Sequence, residues 1–60
     1  MRIVFENGQQ ASLHGNTLAI GPNIFNVEDC STPVPGARFW YKLHGGAQRY
    51  IASKIKEIQK

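Results

Sequence analysis

Cysteine is nearly absent from this 60-residue chain, with Cys30 the only one. An intrachain disulfide is thereby excluded, and with it the stapled, disulfide-rich class of small secreted domains. A bridge between two copies through Cys30 is the one disulfide left open. A free thiol with no pairing framework points to a reducing compartment, so a cytoplasmic location is the expectation. Long hydrophobic runs are missing too. The longest are a few residues, against the roughly 18 needed to span a bilayer, and no membrane partner is expected. The opening MRIVFENG lacks the basic stretch, apolar run and small-residue cleavage site of a secretory signal. The starting Met1 and the terminal lysine fit a complete short chain. At this length one small domain is all that can form, near the lower limit for autonomous folding.

Reactive chemistry is equally scarce. Zinc sites need clustered Cys and His at ligand spacing, whereas Cys30, His14 and His44 are scattered. The four carboxylates are Glu6, Glu28 and Asp29, placed in turns or a loop, and Glu57, among lysines. None forms the paired arrangement that acid–base work in a cleft requires. The six glycines sit singly or at turns and make no phosphate-cradling loop. A nucleophile built from Cys30 and a histidine would lack a pocket in so small a fold, and a lone cysteine commonly serves as a small apolar residue. The expectation is a protein that is not an enzyme and carries no metal and no cofactor.

What is present is a lopsided charge. The net charge is +3. Residues 1–36 set Arg2 against Glu6, Glu28 and Asp29. Residues 37–60 set Arg38, Lys42, Arg49, Lys54, Lys56 and Lys60 against Glu57 alone. A basic half of this kind serves nucleic acid, an anionic membrane or an acidic protein, or simply keeps a small protein soluble.

Turn signals and period-2 alternation run along most of the chain. Arg2 to Glu6 reads RIVFE, Asn7-Gly8 follows, and Ala11 and Leu13 then alternate with Ser12 and His14. This predicts a hairpin closed by a two-residue type I′ turn, with His14 on its outer face. Gly15-Asn16 turns the chain into a short strand, Thr17 to Ile20. Gly21-Pro22-Asn23 breaks that strand, and Ile24 to Val27 is another short apolar segment. Glu28 to Gly36, EDCSTPVPG, reads as the one long loop. Ala37 to Leu43 alternates cleanly, with Phe39, Tyr41 and Leu43 one way and Arg38, Trp40 and Lys42 the other, and His44-Gly45-Gly46 ends it.

Residues 47–60 admit two readings. As a helix, Ala47, Ile51, Ile55 and Ile58 form a stripe, and periodicity slightly favours this. As β, Arg49 to Ala52 pairs back on the preceding strand, a tight turn follows at Ser53-Lys54, and Ile55 to Ile58 makes a last strand. The inward set would be Ile3, Phe5, Leu13, Leu18, Ile20, Phe39, Tyr41, Ile51, Ile55 and Ile58.

The segment FWYKLHGGAQRYIASKIKEI resembles the second half of an SH3-type barrel. Phe39-Trp40 matches the aromatic pair, Gly45-Gly46 the turn, Tyr50-Ile51-Ala52-Ser53 the apolar–Pro–Ser step, and Ile55 to Ile58 the closing strand. Ala52 stands where that family prefers proline, and the N-terminal half lacks its aromatic ligand motif and acidic loop, so proline-peptide binding does not carry over. The resemblance covers residues 37–58 and concerns the fold. The expected fold class is mainly β, a small antiparallel SH3-like barrel of about five short strands, with a β-sheet bearing one C-terminal helix over residues 47–60 as the alternative.

The one constellation with binding physics is the outward row Arg38, Trp40, Lys42. A flat ring between two cations is how single-stranded DNA or RNA is held, by base stacking with phosphates on the cations. His44, Arg49, Tyr50 and Lys56 are candidates to extend it. Other roles for Trp40 are the core of a two-sided sheet, a homodimer contact, or an anchor for a protein partner, with its flanking cations packed over the ring. The function expected is therefore non-catalytic binding of nucleic acid. The alternative is a protein-binding adaptor or inhibitor, of the kind phages and mobile elements encode.

Overall fold

The computed structural model describes all 60 residues. Six strands follow one another: β1 Arg2–Phe5, β2 Gln10–His14, β3 Thr17–Ile20, β4 Asn23–Cys30, β5 Arg38–Leu43 and β6 Gln48–Gln59. Each pairs antiparallel with the next and β6 returns to β1, so the sheet closes into a barrel. The fold is mainly β, and no helix is present to cross a membrane.

Alternation explains the core. Ile3 and Phe5 of β1, Ala11 of β2, Leu18 of β3, Val27 of β4, Phe39 and Tyr41 of β5, and Ile51 and Ile55 of β6 are buried. Leu13, Ile20, Phe25, Cys30, Leu43 and Ile58 pack around them. Of the expected inward set, Leu13, Ile20 and Ile58 thus form the margin of the core, and Ala11 and Val27 fill places inside it.

Three expectations are corrected. The first concerns the Asn7-Gly8 turn. No residue other than glycine has positive φ, so Asn7 stays out of the left-handed region that a type I′ turn demands. Gly8 takes it instead, at φ 90°. The Gly8 N–H donates to the Phe5 carbonyl at 3.0 Å and the Phe5 N–H to the Gln9 carbonyl at 2.8 Å, the pattern of a longer turn with a glycine bulge. The Asn7 side chain reinforces it, its Oδ1 accepting from the Gln9 N–H at 2.9 Å.

The second concerns the loop. It starts at Ser31, because β4 runs through Glu28, Asp29 and Cys30. The prolines, the glycine and the small polar residues of EDCSTPVPG make the whole run read as loop. Its first three residues form strand because Asp29 and Cys30 pair with Lys42 and Tyr41, and the register shift after Val27 takes up Glu28 as a bulge.

The third concerns residues 47–60. They form neither a helix nor a strand–turn–strand, but one strand of 12 residues. Its first part pairs with β5 and its second with β1, a corner turned by irregularities rather than by a break. Ile51 and Ile55 lie an even number of positions apart, on one side of the pleat. The register shift opposite Val4 and Phe5 then brings Ile58 beside Ile3. The spacing that imitates a helical stripe is that of a strand with a slip in its register.

Candidate nucleic-acid interface

Trp40 is fixed by its own backbone. Its N–H donates to Ser31 Oγ at 3.0 Å, and its carbonyl accepts from the Ser31 N–H at 3.0 Å. In an antiparallel strand both backbone groups of one residue point to the same side. With both committed to Ser31, the pairing of Trp40 with Tyr50 across β5 and β6 is of the type without mutual hydrogen bonds. Such pairs bring Cα atoms to about 4.5 Å and side chains closest together. The register therefore sets two aromatic residues side by side on the outer face. Trp40 is half-buried and Tyr50 is 60% exposed. Ring stacking within the molecule occurs between Phe25 and Tyr41, with centroids 6.0 Å apart, so the outer pair is not consumed in stacking on itself.

The cations around this pair are not equivalent. Arg38 is exposed and pairs with Lys54, also exposed, across a register shift from the Trp40–Tyr50 pair, which places two cations toward one end of the aromatics. Lys42, at the other end, is bound to Glu28 with Nζ to Oε2 at 2.9 Å. Both side chains of that pair are substantially exposed, 41% and 44%. The Lys42 hydrogen bond and charge hold the Glu28 carboxyl below its usual range, with smaller contributions from His44 and the Gly45 backbone. His44 is thus a neighbour of this acidic spot, in the exposed turn after β5.

Two other sequence candidates fall elsewhere. Arg49 pairs with Tyr41, which is buried, and shares the pleat side of Ile51, so it lies at the mouth of the barrel rather than on the Trp40 face. Lys56 stands six positions beyond Tyr50, in the part of β6 that pairs with β1. Lys54, absent from the sequence candidates for binding, takes the place expected of Lys56. Counting alternation from Tyr50 would have found it, since positions 50, 52 and 54 share a pleat side.

Cys30 is partly buried beside the core, and burial, aided by the Asp29 charge, raises its thiol pKa above the ordinary value of 9.0. No three of the Cys, His, Asp and Glu side chains come together as a metal site would need. No family model, curated protein or solved structure matches the chain.

Proposed function

We propose that this barrel, which we read as SH3-like, is a non-catalytic module that binds single-stranded nucleic acid on the outer face of β5 and β6. The observation supporting this reading is the direct pairing of Trp40 with Tyr50 beside the Arg38–Lys54 pair. Successive bases stack on the two rings, and the guanidinium of Arg38 and the ammonium of Lys54 meet the intervening phosphates. Stacking accepts any base, so weak sequence preference is expected. Lys42 contributes less than the alternation of β5 suggests, because Glu28 already neutralises it.

The test is Trp40 fluorescence during titration with a mixed single-stranded oligonucleotide at low and moderate salt. Saturating quenching that weakens with salt is the expected result. Trp40→Ala, followed by anisotropy of a labelled oligonucleotide, should lose about 1–3 kcal/mol of binding. Equal affinity in Trp40→Ala and the parent would sink the stacking mechanism.

A protein partner is the second reading, and a specific observation favours it. Ile24 is 73% exposed, Val34 50% and Tyr50 60%. An adaptor or inhibitor anchored on Ile24 would bind with little salt dependence. Ile24→Ser would then weaken its complex and leave oligonucleotide binding untouched.

A further inference from the structure

A shallow groove lies away from the aromatic pair, where β1 is flanked by β2 and β6. Arg2 sits in register between Ser12 on one side and Gln59 on the other, so three polar side chains cross the outer face in one row. His14 follows Ser12 on the same pleat side of β2, and Lys60 follows Gln59. With Met1 these residues line a groove of about 260 Å³. Its wall is held by the backbone, with the Leu13 N–H donating to the Met1 carbonyl at 2.8 Å.

The chemistry of the lining is one-sided. A guanidinium and an ammonium supply positive charge, a hydroxyl and an imidazole can donate beside them, and no carboxylate side chain lines the groove. Glu57 is the nearest acidic group by sequence, and it accepts from the Gln59 amide at 3.4 Å. The ion pair of the molecule joins Lys42 to Glu28, which leaves the planar fork of Arg2 without a carboxylate partner. Arginine in that condition matches a tetrahedral oxyanion through two parallel hydrogen bonds. The volume is several times the roughly 30 Å³ that one water takes in the liquid, enough for a phosphoryl group with its hydration.

We propose that the groove formed by Arg2, Ser12, His14 and Lys60 binds a phosphate-type oxyanion, free or as the monoester end of a small molecule. Arg2 holds two oxygens, Ser12 Oγ and the His14 ring hydrogen-bond the others, and Lys60 adds charge at the rim. The site stands apart from the proposed nucleic-acid face. Gln59 is nine positions from Tyr50 along β6, beyond the corner at which the strand passes from pairing with β5 to pairing with β1. Either site can fail without the other.

The experiment is a titration of the intact chain with inorganic phosphate at constant ionic strength, followed by amide and imidazole NMR shifts. A parallel arm uses phenyl phosphate. Saturating shifts confined to Arg2, Ser12, His14 and Gln59 are expected, and Arg2→Gln should weaken them about tenfold. Arg2→Lys keeps the charge but loses the fork and should fall in between. Tighter binding of phenyl phosphate than of phosphate assigns the site to a monoester, and the reverse order to the free anion. Shifts spread equally over Arg38, Lys54 and Lys56, shifts that do not saturate, or Arg2→Gln binding like the parent would each overturn the proposal. Both Arg2 variants should keep the parent spectrum away from the groove, since Arg2 is exposed.

Discussion

The two halves of β6 are continuous in sequence and different in circumstance. From Gln48 to Ala52 the strand has β5 as its one strand neighbour and carries Tyr50, 60% exposed, on its outer side. From Ile55 to Gln59 it pairs with β1, and around Ile55 it also meets the loop before β5. The Ile55 N–H donates to the Ala37 carbonyl at 2.9 Å and the Gly36 N–H to the Ile55 carbonyl at 2.8 Å. Ile51 and Ile55 face the same core, 7% and 1% exposed. The difference lies in what surrounds each half. The second half closes the barrel and serves stability. The first half, joined on one side, is free to present a surface.

The largest effect that would break this contrast is on stability. Ile55→Ala empties a buried position at the seam and should cost about 2–5 kcal/mol. A chain of this size has roughly 3–5 kcal/mol in hand, so the variant should be largely unfolded. Ile51→Ala should lie toward the lower end of that range. Urea midpoints measure both, and an equal or larger loss at Ile51 would erase the distinction between the halves. Next comes Tyr50→Ala. It should weaken oligonucleotide binding by about 1–3 kcal/mol while shifting stability by no more than about 0.5 kcal/mol. A large loss of stability instead would make the first half structural like the second.

Smaller effects sharpen the comparison. Glu28→Gln releases Lys42 from its partner, so nucleic-acid affinity should rise slightly. The salt dependence should steepen by up to roughly 0.7 in log–log slope, the increment for one more phosphate contact on a single strand. The same carboxyl makes a small pH-dependent contribution. Its folded pKa lies below 4.5, so the stability it adds is fully present above about pH 4.5 and is lost as the pH falls through the folded value. Both groups are exposed, so the effect is modest and screened by salt. Comparing acid unfolding of the parent with that of Glu28→Gln measures it. The least effect concerns Cys30. Its raised thiol pKa predicts slower alkylation by iodoacetamide at neutral pH than in the urea-unfolded chain.

Much of the fold was legible because the strands are short and their turns carry glycine, proline or asparagine. The alternation of Phe39 and Tyr41 against Arg38, Trp40 and Lys42 matches the burial seen in β5. Legibility fails where pairing overrides local preference. Glu28 and Asp29 look like loop residues, yet β5 supplies their partners, and a bulge is invisible in composition. Ile51, Ile55 and Ile58 at intervals of four and three imitate a helix because a register slip in a strand produces the same spacing. The candidate site was legible only in part. Trp40 and Tyr50 pair across β5 and β6. Alternation from Tyr50 separates Lys54 from Arg49, whereas choosing Lys54 over Lys56 needed the β5–β6 register, and the neutralisation of Lys42 needed the fold of β4.

Closure of the barrel also sets the order in which it can assemble. Hairpin contacts such as Leu13 with Leu18 span five positions, whereas Ile3 meets Ile58 across 55. Bringing such distant positions together costs chain entropy before any contact rewards it. The β1 to β4 meander can therefore fluctuate into shape early. The inner faces of Ile3 and Phe5 are completed by the last strand, so its docking is expected to carry the largest entropic cost of closure, and substitutions at Ile55 and Ile58 measured by folding kinetics would check that.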